Sequence, residues 1–170
     1  THNGKSALVK WAALMAARQG FKVAFFSTEI LREEVLVELL AIEAGLSSQQ
    51  VKNGVLNAKQ YKQLIDAAGV INRLPIAIDG SRALTASALN MHVHEMVSTG
   101  GGCDVVIVDY LQNMVTSGGN FKSDVEKLNY LSTSLVTIGQ RHNVAMVVTS
   151  QVNRNVEMRR DKRPFPSDFK

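Results

Sequence analysis

Along the chain, short continuous apolar runs alternate with longer stretches in which apolar residues recur about every three to four positions, the pattern of strands and helices wound into βαβ units around a parallel sheet. Four runs predict strands: Lys22–Ser27 (KVAFFS), Pro75–Asp79 (PIAID), Asp104–Asp109 (DVVIVD) and Val144–Ser150 (VAMVVTS). Each is nearly all apolar, so burial on both faces beneath helices is expected. A first helix, Lys5–Gln19, is apolar almost all round and belongs in the core, with Gly20 placed to end it. Amphipathic helices follow over Leu31–Ala44 and Ala58–Asn72. A fourth starts after Thr85, a suitable N-cap, and the longest covers Asp124–His142 with a seam of Val125, Leu128, Leu131, Leu135 and Ile138. Between Val115 and Ser123 the residues are those of a mobile loop, and Thr99–Gly102 is a turn.

At 170 residues the chain fits one domain rather than two. Hydrophobic residues at 45% and charged residues at 20% remove support for disorder, collagen or a coiled coil. A single cysteine, Cys103, excludes an internal disulfide and a Cys-rich zinc site, and suits a reducing compartment. No apolar run approaches the roughly 18–20 residues that span a bilayer, so no membrane association and a soluble, cytoplasmic protein are expected. The net charge is +4, and three of those four charges fall within residues 154–170. That segment reads either as a solvated tail or as a contact for a polyanion.

Asn3-Gly4-Lys5-Ser6 opens the first helix and matches the second half of the phosphate-binding pattern G-x-x-x-x-G-K-[ST], although an ordinary Gly-started helix has the same letters. In the phosphate reading, amides of residues 3–7, Asn3 and Ala7 included, point at phosphate oxygens. Lys5 supplies positive charge, and the Ser6 hydroxyl ligates Mg²⁺. The leading Gly would precede Thr1, so a fragment is expected, lacking the first strand and half of this loop. Asp109 ends VVIVD roughly a hundred residues downstream, where a carboxylate can hold a Mg²⁺-bound water or simply cap a strand. Glu29 follows FFST at a strand's carboxyl end, the edge where ligands of open α/β sheets gather; it suits a general base or a helix N-terminal acid. Gln151, after VAMVVTS, is an amide that can sense a γ-phosphate. His92 and His94 are two positions apart, which on a helix sends them to different faces, and neither has a companion ligand.

Gly4-Lys5-Ser6, FFSTE, Val108-Asp109-Tyr110-Leu111-Gln112, Ser150-Gln151 with Arg154, and Asp161-Lys162-Arg163-Pro164 with Ser167-Asp168 together resemble the C-terminal ATPase domain of DnaB-type replicative helicases from end to end. The resemblance implies a RecA-like P-loop NTPase fold, a mainly parallel sheet with helices on both faces. It implies a hexameric ring that hydrolyses ATP or another NTP with Mg²⁺ at subunit interfaces, translocates on single-stranded DNA and unwinds duplex, with primase and a helicase loader as possible partners. By position, Lys5, Glu29 and Gln151 would be catalytic and Ser6 and Asp109 would hold the metal. Lys170 and Arg163 would approach DNA. The main DNA loops and the arginine finger belong to the family's sequence beyond Lys170. Bacterial members commonly carry an Arg nine residues after the catalytic Glu, where this chain has Glu38, which hints at a divergent or phage-encoded member. A RecA-like recombinase or loader ATPase, or a non-catalytic ring subunit, are the alternatives.

Overall fold

A computed structural model describes residues 4–99, 101–118, 121–151, 159, 161 and 163. Among them the elements run α1 (Lys5–Arg18), β1 (Val23–Ser27), α2 (Arg32–Ala44), α3 (Ser48–Asn53), α4 (Ala58–Ile71), β2 (Ile76–Asp79), α5 (Ala86–Ser98), β3 (Val105–Asp109), a 3₁₀ turn (Leu111–Asn113), α6 (Asp124–His142) and β4 (Ala145–Val148). The strands form one parallel sheet in the order β2-β1-β3-β4. From β1 the chain moves outward to β2, then returns past β1 to β3. This reversal makes the carboxyl ends of β1 and β3 the natural ligand crevice.

Local chemistry sets the helix ends. Thr85 caps α5 by accepting from the Ala88 N–H, and Ser123 caps α6 by accepting from that of Glu126. Asn57 and Gln60 satisfy each other's backbone N–H groups in a reciprocal box at the start of α4. Beyond α1, Gly20 adopts φ 90°, a left-handed conformation that stops the helix. Alternation along the central strands then divides the core in two. Val23 and Phe25 of β1 and Ile107 of β3 pack beneath α1, α2 and α4. Ala24 and Phe26 of β1, with Val106 and Val108 of β3, pack against α5 and α6. Each large side chain buried this way contributes about 1.5–3 kcal/mol.

Two expectations change in the structure. The first helix is not enclosed all round: Leu8 is 64% and Trp11 51% exposed, because only the face carrying Val9, Ala13, Leu14 and Ala17 meets the sheet. Among the described residues β2 and β4 are half-exposed rather than buried on both faces, each pairing there with one strand only. Tyr61 and Ile65 of α4 also face outward while Ala67 and Ile71 pack inward. The short α3 had no counterpart in the apolar pattern.

Gly80 follows β2 where the chain presses on the start of α2, and a Cβ there would fall well inside contact distance of the Arg32 backbone nitrogen. Because that neighbour is backbone, Gly80→Ala should destabilise the fold by about 1–3 kcal/mol. Chemical denaturation checks this, with a lowered midpoint as the expected result.

Candidate active site

The carboxyl ends of β1, β3 and β4 meet the N-terminus of α1 around a cavity of about 450 Å³, within the usual range for small-molecule sites. Gly4, Lys5, Ser6 and Ala7 line it from α1, Glu29 from the end of β1, and Asp109 and Gln151 from the ends of the other two strands. Seven of the sequence candidates therefore converge on one crevice. Asn3 and Lys170 lie outside the described residues.

At α1, Gly4 is the N-cap with φ 71° and offers no side-chain cap, and the first turn contains no acidic residue. Among the described residues no side chain caps the leading amides and no first-turn acid offsets the positive end of the helix dipole, while Lys5 adds further positive charge. Such a helix start suits an anion. Lys5 itself reaches across the crevice, its Nζ donating to the Ser150 carbonyl at 3.3 Å.

The opposite wall is braced by hydroxyls. Thr149 Oγ1 donates to Asp109 Oδ1 at 2.5 Å, fixing one oxygen of a buried carboxylate. The backbone N–H of Thr28 donates to the Asp109 carbonyl, and its hydroxyl donates to the Tyr110 carbonyl at 2.9 Å while accepting from the Tyr110 N–H at 3.0 Å. Thr28 therefore staples the β1 and β3 ends together and sets Glu29 beside Asp109. Ser27 ties the next bend by donating to the Ile30 carbonyl at 2.9 Å. The Asp109–Tyr110 peptide bond is cis. Gln112 grips β4's exit: its Nε2 donates to Ser150 Oγ and the Gln151 carbonyl, and its Oε1 accepts from the Gln151 N–H.

Glu38 also faces the cavity, from α2. Its Oε2 accepts from Lys10 and its Oε1 from Lys52, each at 2.7 Å. Burial alone would push this carboxyl up, but the two lysines outweigh it and hold it below the ordinary carboxylate range. Lys10 is 2% exposed and lines the cavity as well.

Lys10, Thr28 and Thr149 join the site without standing out as candidates in the sequence, where Gln112 figures only within the Val108–Gln112 motif. A signal was present for the first three: Lys10 breaks an otherwise apolar helix two positions short of a second full turn from Lys5, and both threonines sit at strand exits.

Other candidates lie elsewhere. Arg163 is exposed and outside the cavity lining, its N–H donating to Asp161 Oδ1 at 3.1 Å. His92 approaches Asp79 at 3.8 Å, whereas His94 stacks near His142, so the two do not share a ligand. Cys103 is buried, and burial with the neighbouring Asp104 charge pushes its thiol up, away from nucleophilic thiolate. No helix among the described residues is long and apolar enough to cross a membrane.

Known proteins share this fold. The family model described as the DnaB-like helicase C terminal domain matches residues 1–170. A probable replicative DNA helicase of Trieres chinensis is 32% identical over 148 residues, covering 87% of this chain and 32% of that protein. The replicative DNA helicase DnaB of Synechocystis sp. is 31% identical over 160 residues, covering 94% of this chain and 18% of the relative. This chain thus spans about a third or less of these curated relatives. Among solved structures, one ATPase domain superposes with a TM-score of 0.91 at 24% identity, covering 98% of this chain and 60% of that one. A DnaB-like replicative helicase studied with primase gives 0.88 at 23% identity, covering 98% and 40%. These likenesses fix the fold, and the parallel sheet with helices on both faces is that of the DnaB-like RecA-fold ATPase domains. With its whole length matched by the family model, the chain belongs to the DnaB-like helicase C-terminal domain family.

Proposed function

We propose that this chain is the NTP-hydrolysing motor domain of a replicative DNA helicase, acting in the cytoplasm as part of a hexameric ring that moves along single-stranded DNA and parts the duplex. The observation that carries this reading is the convergence of Lys5, Ser6, Glu29, Asp109 and Gln151 on one cavity at an uncapped helix start. Amides of residues 4–7, with Asn3 before them, cradle the phosphates, and Lys5 leaves the Ser150 carbonyl to neutralise them. The donor set fits Mg²⁺: the Ser6 hydroxyl and the Asp109 oxygen not taken by Thr149 are hard oxygen ligands for the ion or its water. When bound, the ion neutralises phosphate charge in the transition state. Glu29 accepts the proton of the attacking water. Gln151 reads the terminal phosphate and passes the state of the site to the segment after it, with Arg163 and Lys170 on the DNA side. Primase and a helicase loader are the protein partners of this reading.

The full-length protein should sediment as a hexamer with NTP and Mg²⁺ and unwind a forked duplex, with turnover rising severalfold on adding single-stranded DNA. A monomer that hydrolyses NTP, ignores single strands and unwinds nothing would overturn the helicase assignment while leaving the nucleotide site intact.

A further inference from the structure

Resting on the nucleotide reading, we propose that Lys10 is a second phosphate-binding lysine, held ready by Glu38 and directed at the terminal phosphate, with Lys52 as the keeper of Glu38. Lys10 sits on α1, and Glu38 and Lys52 come from α2 and α3. Two of the three, Lys10 and Glu38, line the same cavity as Lys5 and Glu29.

Stability does not account for charges in this place. A buried ion pair is commonly no better than well-packed apolar groups of similar volume, because desolvating both partners offsets their attraction. A methionine would fill the space of Lys10 without that cost. Position gives the cluster a purpose. Lys10 and Glu38 add no net charge to the lining while paired, but Lys10 brings a second ammonium to the cavity that holds Lys5, and Lys52, off the lining, supplies a positive charge that stays with Glu38.

The geometry also permits Lys10 to change partners. The two lysines occupy different oxygens of Glu38, Oε2 and Oε1. When Lys10 turns to an anion, Lys52 still holds the carboxylate, so no buried charge is stranded. The end of the nucleotide that Lys10 meets follows from its wall: Glu29 and Ile30 lead directly into α2, which carries Glu38, so this side of the cavity belongs to the phosphate whose bond is cleaved. The short α3, polar and without buried residues, thereby acquires a role as the carrier of Lys52.

The test compares affinities of the full-length protein for a non-hydrolysable fluorescent triphosphate analogue and for the matching diphosphate. Lys10→Met should weaken triphosphate binding by about 10- to 100-fold, the usual worth of a hydrogen bond to a charged group, while diphosphate binding stays within about twofold. The double change Lys10→Met with Glu38→Leu replaces the pair by apolar groups and should fold even where the single change does not. It should show the same loss of triphosphate preference. Wild-type preference in the double variant, or an equal loss for both nucleotides in the single one, would make the pair a packing element and overturn the proposal. Lys5→Ala separates this from failure of the underlying reading: if the nucleotide site is real, that change weakens both nucleotides whatever Lys10 does. A wild-type protein that binds neither nucleotide removes both ideas.

Discussion

Glu29→Gln in the full-length protein is expected to lower steady-state NTP turnover by about 10²–10⁴-fold, the usual contribution of a positioned general base. Nucleotide affinity should stay near wild type, because the grip on phosphate comes from the α1 amides, Lys5 and the metal rather than from this carboxylate. The substitution keeps the size and hydrogen-bonding shape of the side chain and removes only its basicity. Thr28 still staples β1 to β3, so position 29 stays beside Asp109. Rapid-quench turnover combined with equilibrium binding checks both halves. Turnover within about threefold of wild type, far below the general-base factor, would strip Glu29 of the role.

Lys5→Ala should produce the contrasting pattern, with affinity and turnover failing together. Removing one preorganised donor from a developing oxyanion costs about 10²–10³-fold in rate, and here the donor is also a full charge in contact with the ground state. Loss of the Lys5 bond to the half-buried Ser150 carbonyl should matter little for folding, since water can replace it. Isothermal titration with the triphosphate analogue, alongside thermal unfolding, separates the two effects. Undiminished affinity in a folded Lys5→Ala protein would contradict the phosphate cradle at α1.

What was readable from the sequence follows from how local its cause is. Gly4-Lys5-Ser6, Glu29, Asp109 and Gln151 are each adjacent to a strand or a helix start, and apolar runs reveal such junctions without any knowledge of packing. Thr85 as a cap is equally local. The parts that escaped depend on pairings distant in the chain. Lys10 meets Glu38 across the α1–α2 packing, and Thr149 meets Asp109 only because β3 and β4 are neighbours. Which strands are neighbours is set by strand order, so VAMVV reads as buried as VVIVD although β4, paired only with β3 among the described residues, is half-exposed there. The sequence SQQVKN has no apolar period, and α3 was invisible for that reason.

Parallel register has a consequence for how this domain can vary. Val106 pairs with Ala24 and Met146, Val108 with Phe26 and Val148, and Asp109 stands opposite Ser27, just before the strand exits that lead to Glu29, two residues on, and to Gln151, three residues after Val148. A slip of one residue would turn Phe26 and Val108 to the wrong helical layer and also carry Asp109 away from the Thr149 hydroxyl. Fold and chemistry share a single alignment, so insertions and deletions within β1 or β3 forfeit both at once. Length changes between α3 and α4, or between the Leu111–Asn113 turn and α6, leave that alignment untouched, and divergence in chain length should collect there.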